Sequence, residues 1–72
     1  MIKIEQLLPL LCKGDYVAMQ PNGDWVVYGS EPELRSSCWI AHSNTIGHLS
    51  DCFNIAPADD WEKSLIRVKG ND

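Results

Sequence analysis

The sequence predicts an α+β fold: a small antiparallel β-meander of three to four strands, with a short N-terminal helix and a C-terminal helix. Three observations lead to this prediction. A strong turn signal separates two β-prone runs, a third apolar run follows them, and a capped helical pattern lies near the end of the chain. Seventy-two residues are enough for one small domain, so we expect residues 1–72 to fold as a single domain.

A β-hairpin is the clearest local feature. Residues 16–20 and 24–28 are rich in β-branched and aromatic side chains, and they flank a Pro-Asn-Gly sequence at 21–23. Proline presets the first turn position, and glycine suits the left-handed position that follows. These preferences favour a three-residue loop with a glycine bulge over a two-residue turn, which places Met19 opposite Trp25.

The loop length also determines which side chains share a face of the hairpin. One face carries the four apolar residues that we expect in the core, which are Val17, Met19, Trp25 and Val27. The other face carries Tyr16, Ala18, Val26 and Tyr28. This second face is too apolar for an ordinary solvated sheet surface. Either a helix covers it or it is a contact surface.

The middle of the chain is predicted to add two more strands. Residues 29–37 form a polar connection, 37–42 a third strand and 51–55 a weaker fourth, with 43–47 as the loop between the last two. In this order each strand pairs with the one before it, as in a meander.

Both ends of the chain are predicted to be helical. Near the carboxyl end, Asp59 and Glu62 have the spacing of a capping box, and apolar residues at 61, 65 and 68 form one stripe. We expect this helix from about residue 60 to residue 68. At the amino end, the leucine-rich sequence favours a short helix on either side of Pro9, ending near Gly14.

Charge narrows the classes of partner. Ten acidic residues against six basic ones give a net charge of −4, and the basic residues are scattered along the chain. Binding to nucleic acid depends on lysine and arginine side chains that neutralise phosphates, so direct binding to DNA or RNA is disfavoured. A moderately acidic surface suits a protein partner with a basic face, but the charge by itself is explained first by solubility.

Composition also predicts the compartment. No apolar run approaches the roughly 20 residues that span a bilayer, and the first residues lack the pattern of a signal peptide. The three cysteines are an odd number, which argues against a disulfide framework and for a reducing compartment. We therefore expect a cytoplasmic protein that does not associate with membranes.

One set of residues has the composition of a metal site: Cys38, His42, His48 and Cys52. A strand from Cys38 to His42 would separate those two side chains by about 13 Å, which is too far for one shared ion. In a hairpin, Cys38 would instead face Cys52, and His42 would face His48. We therefore expect buried structural cysteines and neither a metal nor another cofactor.

No catalytic residues emerge from the sequence. A Cys–His nucleophilic pair drawn from the same four residues would need an oxyanion hole and a third, orienting residue, and no motif indicates either. The adjacent carboxylates of Asp59 and Asp60 suggest an acid pair, but the predicted helix cap explains Asp59 without catalytic chemistry. The sequence therefore favours a binding protein over an enzyme.

Aromatic residues indicate a candidate binding surface. Tyrosine combines a large contact area with a polar tip and is enriched at binding hot spots. If the second face of the hairpin is uncovered, we expect the partner-binding residues to be Tyr16, Val26 and Tyr28, flanked by the acidic Asp15, Glu31 and Glu33.

Short motifs between residues 14 and 68, about three quarters of the chain, carry a resemblance to known proteins. They are Tyr16-Val17-Ala18-Met19, Asn22-Gly23-Asp24-Trp25, Tyr28 with Pro32, Trp39, and Asp60-Trp61-Glu62-Lys63-Ser64-Leu65. In these motifs the sequence resembles small proteins of unknown function encoded by bacteriophages and prophages.

The resemblance implies a function. Small acidic phage proteins often bind and block a host protein, including components of antiphage defence such as CRISPR effector complexes, and the resemblance implies no catalytic residues. One alternative is a self-associating structural or accessory phage protein, for instance a homodimer that buries the second face against its twin. A further alternative is a small metal- or thiol-dependent enzyme.

Overall fold

The computed structural model describes residues 1–42 and 45–69. In chain order its elements are helix α1 (Ile4–Leu7), a 3-10 turn (Leu8–Leu10), β1 (Tyr16–Met19), β2 (Trp25–Tyr28), β3 (Glu33–Leu34), β4 (Trp39–Ile40), β5 (Thr45–His48), a 3-10 turn (Leu49–Asp51), a third 3-10 turn (Trp61–Lys63) and β6 (Ile66–Arg67). The fold is α+β, with a short N-terminal helix and an antiparallel sheet of four strands, as the sequence predicts.

The predicted hairpin of β1 and β2 lies at the centre of the main sheet. Met19 is opposite Trp25, and the backbone N–H of Gln20 donates to the carbonyl oxygen of Asp24 at 2.9 Å. Gly23 has a φ of +92°, a left-handed conformation that glycine adopts without strain. The predicted register and three-residue loop are therefore confirmed.

The order of the strands differs from the predicted meander. The main sheet has the order β5-β2-β1-β6, and each neighbouring pair is antiparallel. β3 and β4 form a separate two-stranded sheet, so the predicted third strand at 37–42 is reduced to β4 and does not join the main sheet. Local sequence preferences do not specify which distant strands pair, and here the later strands pair on either side of the hairpin.

The segment that follows β4 also corrects two predictions. The predicted loop at 43–47 contributes most of β5, although Ser43 and Asn44 lie outside the described residues. The predicted strand at 51–55 is wrong, because a 3-10 turn directly follows β5. In this turn the Ser50 Oγ accepts a hydrogen bond from the backbone N–H of Trp25 at 2.9 Å. The hydroxyl thus replaces the carbonyl oxygen that a longer β5 would offer to Trp25.

The predicted C-terminal helix is wrong. One 3-10 turn at Trp61–Lys63 is followed by β6, and the cap is Asp60 rather than Asp59, since the Asp60 Oδ1 accepts from the backbone N–H of Glu62 at 3.1 Å. Strand β1 explains the difference, because its outer edge has unpaired backbone groups unless the end of the chain is extended beside it. Of the apolar residues of the predicted stripe, Trp61 packs from the 3-10 turn, and Leu65 and Val68 pack from the positions on either side of β6.

Two apolar clusters lie on opposite faces of the main sheet. The first contains the predicted core face together with residues from both ends of the chain: Ile4, Leu7, Val17, Met19, Trp25, Val27, Ile55 and Val68. The second contains Ala18, Val26, Tyr28 and Trp39, with Tyr16, Ala41, Trp61 and Leu65 packed against it. The two faces of the hairpin therefore separate as predicted, and both are buried.

The amino end is helical around Pro9, as predicted, but the helical part ends at Leu10 rather than near Gly14. Helix α1 buries Ile4 and Leu7 in the first cluster, and Pro9 lies at the start of the 3-10 turn, where its missing N–H has no helical partner to lose. Within residues 1–42 and 45–69, no helix is long and apolar enough to cross a bilayer.

Candidate interaction surface

The second face of the hairpin is covered. Val26 and Tyr28, two of the predicted partner-binding residues, are only 3% and 2% exposed. The cover consists of Trp39 of β4, which lies in the same cluster, together with Trp61 and Leu65, rather than the helix considered from the sequence. In this arrangement Val26 and Tyr28 present no surface to a partner, and Tyr16 is half-buried. We call residues 33–40 the cover hairpin.

The side chain of Gln20 joins the cover hairpin to the main sheet through hydrogen bonds. The backbone N–H of Trp39 donates to the Gln20 Oε1 at 2.9 Å, and the Gln20 Nε2 donates to the Trp39 carbonyl oxygen at 3.0 Å. The same Nε2 donates to the Tyr28 hydroxyl at 3.1 Å. The Gln20 amide thus pairs with Trp39 as a strand backbone would. The indole Nε1 of Trp39 donates to the carbonyl oxygen of Trp61 at 3.1 Å, which fixes the ring.

The hydroxyl of Tyr28 is held in its neutral form. Burial is the main cause that raises the pKa of Tyr28 above its ordinary value, and the negative charge of Asp24 and the neighbouring Cys38 act in the same direction. The hydrogen bond from Gln20 opposes this shift. The phenol is therefore a neutral, hydrogen-bonded part of the core.

The opposite side of the cover hairpin faces away from the main sheet. Glu33 lies opposite Ile40, and Leu34 lies opposite Trp39. Residues that face each other across an antiparallel pair share a side, so Glu33 and Ile40 lie on the side opposite Trp39. Ile40 is 38% exposed, and Leu34, at the margin of the Trp39 side, is 44% exposed.

A charged group surrounds this side of the cover hairpin. The Glu33 Oε1 is 2.9 Å from the Nε2 of His42, and the Glu33 Oε2 contacts the Nε of Arg35. Glu33, Arg35, Ile40 and His42 together are called the outer face. It combines an exposed apolar side chain with an ion-paired rim.

The structure separates the predicted acidic residues. Glu33 is on the outer face with its carboxylate between two basic side chains, whereas Glu31 is exposed in the segment before the cover hairpin. Asp15 lies before β1 beside the end of β6, and its carbonyl oxygen accepts from the backbone N–H of Val68 at 2.8 Å. Glu33 is thus the predicted acidic residue that belongs to the outer face.

The four residues considered as metal ligands do not face each other as predicted, since the hairpin that would bring them together is not formed. His42 contacts Glu33, and His48 contacts Asp24 on a different pair of strands. The three cysteines form no disulfide. The expectation that they are buried is wrong, because Cys12 and Cys52 are exposed and Cys38 is half-buried. Among the described residues, no three His, Cys, Asp or Glu side chains gather as ligands for a metal ion.

Asp24 and His48 form an acid–histidine pair that the sequence did not indicate, because it depends on the pairing of β2 with β5. The Nδ1 of His48 is 2.7 Å from the Asp24 Oδ2. The hydrogen bond and charge of Asp24 raise the pKa of His48 above its ordinary value, and Asp51 adds to the shift. The pair resembles the Asp–His unit of a general base. Ser50, two residues further along the chain, uses its Oγ to accept a hydrogen bond from the Trp25 backbone, and Cys52 is exposed and forms no disulfide.

An open groove of about 440 Å³ lies between α1 and residues 56–66. Its charged side chains are two lysines and two acids: Lys3, Glu5, Asp59 and Lys63. The Trp25 Nε1 at its base donates to the Ala56 carbonyl oxygen at 3.2 Å. Within the described part of the chain, every buried side-chain nitrogen or oxygen has a hydrogen-bond partner. The groove therefore contains no unsatisfied buried polar side chain that would orient a ligand.

Comparisons of the chain with protein-family models, with curated proteins and with solved structures found no significant match.

Proposed function

We propose that this is a non-catalytic binding protein of phage or prophage origin that inhibits or redirects a host protein by stoichiometric contact, in the cytoplasm of the bacterial host. The observation that carries the proposal is the construction of the cover hairpin. Its inner side is fastened by Trp39 and the Gln20 amide, while its outer face presents Ile40 within a rim formed by Glu33, Arg35 and His42.

This construction suits a binding surface for a physical reason. A two-stranded hairpin is marginally stable by itself, and here the anchoring on the main sheet holds it in one conformation. A preformed surface loses less conformational entropy on binding than a flexible loop does. An exposed isoleucine bordered by charged groups offers a partner both an apolar contact and charge complementarity.

The charges of the outer face favour one mode of inhibition. The Glu33 carboxylate pairs with Arg35 and contacts His42, and the Arg35 guanidinium compensates its negative charge within the chain. A surface of this kind does not imitate the run of unpaired phosphates that a nucleic-acid groove attracts. We therefore favour a protein that blocks a partner surface, with a CRISPR-type defence component as the class of target that the sequence resemblance implies.

Two alternatives have less support. A homodimer through the second face would depend on open apolar surface, and the burial of Val26 and Tyr28 under Trp39 within one chain removes that surface. A thiol enzyme would need a cysteine beside a histidine, and in the described part of the chain the side-chain contacts of His42 and His48 are with the carboxylates of Glu33 and Asp24 rather than with a thiol.

The test is affinity capture from a bacterial host lysate with three proteins: the natural sequence, Ile40→Glu on the outer face and Leu10→Glu as a matched control. Leu10 is 73% exposed on the 3-10 turn after α1, so Leu10→Glu also replaces an exposed aliphatic side chain by a carboxylate, at a position outside the outer face. Capture of one host protein at a stoichiometric level by the natural sequence and the control, but not by Ile40→Glu, is the expected result.

A light-scattering mass of each purified protein completes the experiment. A dimer that retains no host protein would favour the self-associating alternative. A monomer that captures no host protein, or capture that Ile40→Glu leaves intact, would contradict the proposed function or its surface.

A further inference from the structure

β5 forms one margin of the main sheet. Its inner edge pairs with β2, and no described strand pairs with its outer edge. Thr45, Ile46 and His48 are exposed, and Ile46 is 58% exposed, the largest value for an apolar side chain on the strands that the structure describes. An edge strand of this kind has backbone N–H and C=O groups directed outward without partners.

From this edge we infer that β5 is a docking site for an extended peptide segment of a partner, which adds to the sheet as an antiparallel strand and places a basic side chain beside Asp51. The inference goes beyond the proposed function, because it concerns a different surface from the outer face. Strand addition of this type derives affinity from backbone hydrogen bonds and specificity from the neighbouring side chains.

The shape of the edge favours a flexible segment over a second folded sheet. Val27 lies opposite Gly47 and Tyr28 opposite Thr45, so Ile46 is an extra residue that forms a bulge. A bulge increases the local twist and hinders edge-to-edge pairing between rigid sheets. A peptide without a fixed structure can follow the twist.

The size of the edge leads to the same occupant. Specific interfaces between two folded proteins bury about 1,200 Å² or more, which a strand of four residues does not provide for a second copy of this chain. A peptide segment can continue past the end of the strand and contact the surface beyond it. The surface beyond β5 is therefore the next part of the site.

A recess lies directly beyond His48, at the end of the sheet that carries the Pro-Asn-Gly turn. It measures about 460 Å³, and its lining includes Gly23, Ser50, Asp51 and Phe53. Asp51 is exposed, and Phe53 is 37% exposed. In this recess the ammonium or guanidinium group of a lysine or arginine would pair with the Asp51 carboxylate. The aliphatic chain or the guanidinium plane would pack on the Phe53 ring.

The charges around the recess favour a basic segment. His48 is the nearest basic residue in the sequence, and its Nδ1 contacts the Asp24 carboxylate at 2.7 Å, which leaves Asp51 as the carboxylate that a partner meets. The net charge of −4 further attracts a basic peptide over a distance. Because an antiparallel strand begins opposite His48, the basic side chain lies near the amino end of the segment.

The experiment uses a displayed library of random peptides of about ten residues, the upper length of ordinary strands. The library is selected on the natural protein, and enriched peptides are then measured against Ile46→Lys, Asp51→Asn and the control Leu10→Lys. We expect peptides with lysine or arginine near the amino end, bound about tenfold more weakly by Ile46→Lys and Asp51→Asn and unchanged by Leu10→Lys. Backbone amide shifts on peptide binding are expected at residues 45–48.

Three results would overturn the inference. One is a selection without enriched peptides; another is equal affinity for the natural protein and both site variants. The third is a set of amide shifts centred on the cover hairpin, which would assign peptide binding to the outer face. Ile46 is mostly exposed, so its variant retains the fold, and Asp51→Asn provides a second variant that alters charge alone.

Discussion

The side-chain amide of Gln20 forms two hydrogen bonds with the backbone of Trp39, one through its oxygen at 2.9 Å and one through its nitrogen at 3.0 Å. Gln20 follows β1, and Trp39 begins β4, so this pair joins the main sheet to the cover hairpin across 19 residues of sequence. An amide side chain matches a peptide unit in donor and acceptor groups, which allows a single residue to continue strand pairing between two separate sheets.

Replacement of Gln20 by alanine is expected to destabilise the protein by about 2 to 3 kcal/mol, since the Trp39 N–H and carbonyl lose their partners in a part-buried position. Urea denaturation measures the loss. Gln6→Ala is the matched control, because the Gln6 Oε1 makes one exposed hydrogen bond, to the backbone N–H of Lys3. An equal loss in both variants would contradict the role given to Gln20.

Ser64 provides a hydrogen-bond partner for the outer edge of β1 at Met19, beyond the residues that pair with β6. Its Oγ accepts from the buried backbone N–H of Met19 at 2.8 Å and donates to the carbonyl oxygen of Trp61 at 2.6 Å. Ser64→Ala is therefore expected to cost about 1 to 3 kcal/mol and to speed hydrogen exchange of the Met19 amide. Ser36→Ala, at an exposed position, is the control. Unchanged exchange at Met19 would show that another group takes the place of the hydroxyl.

The Asp24–His48 pair predicts a pH dependence of stability. The pKa of His48 in the folded protein is raised above the unfolded value of 6.5. The stabilisation from the pair is therefore fully present below pH 6.5 and is lost as pH rises through the folded pKa of His48. Urea midpoints of the natural protein and of His48→Gln, measured from about pH 5 to pH 9, are expected to converge as pH rises. Because the pair is exposed, the difference is small. A difference that grows with pH would have the wrong sign.

Tyr28 is expected to ionise above the ordinary tyrosine pKa of 10.0, because burial and the charge of Asp24 disfavour the phenolate. The associated stability is present below that pH and decreases as pH rises through the folded pKa. Ultraviolet titration of a Tyr16→Phe protein isolates Tyr28. Adding Asp24→Asn is expected to lower the pKa, and adding Gln20→Ala to raise it, since the Gln20 hydrogen bond lowers it. A midpoint at or below 10.0 in Tyr16→Phe would contradict the burial of this hydroxyl.

The candidate surface could be predicted only in part from the sequence. The second face of the hairpin follows from the turn, but its cover does not, because Trp39 reaches it through contacts with Gln20 and Trp61 that are distant in sequence. Glu33 was expected near a binding surface, whereas its pairing with His42 depends on the register of β3 with β4. The polar Gln20 directly after an apolar strand is the one sequence signal for its hydrogen bonds with Trp39, and a glutamine at such a position does not identify its partner.

The sequence by itself determined the central hairpin, since the Pro-Asn-Gly turn sets the loop length, the loop length sets the register, and the register assigns each side chain to a face. Tertiary structure decided the end of the chain. The spacing of residues 61, 65 and 68 suits a helix, yet Val68 reaches the core from an extended segment, and its backbone N–H donates to the Asp15 carbonyl at 2.8 Å. The open edge of β1 needs hydrogen-bond partners, and satisfying them outweighs the weak helical preference of a short segment.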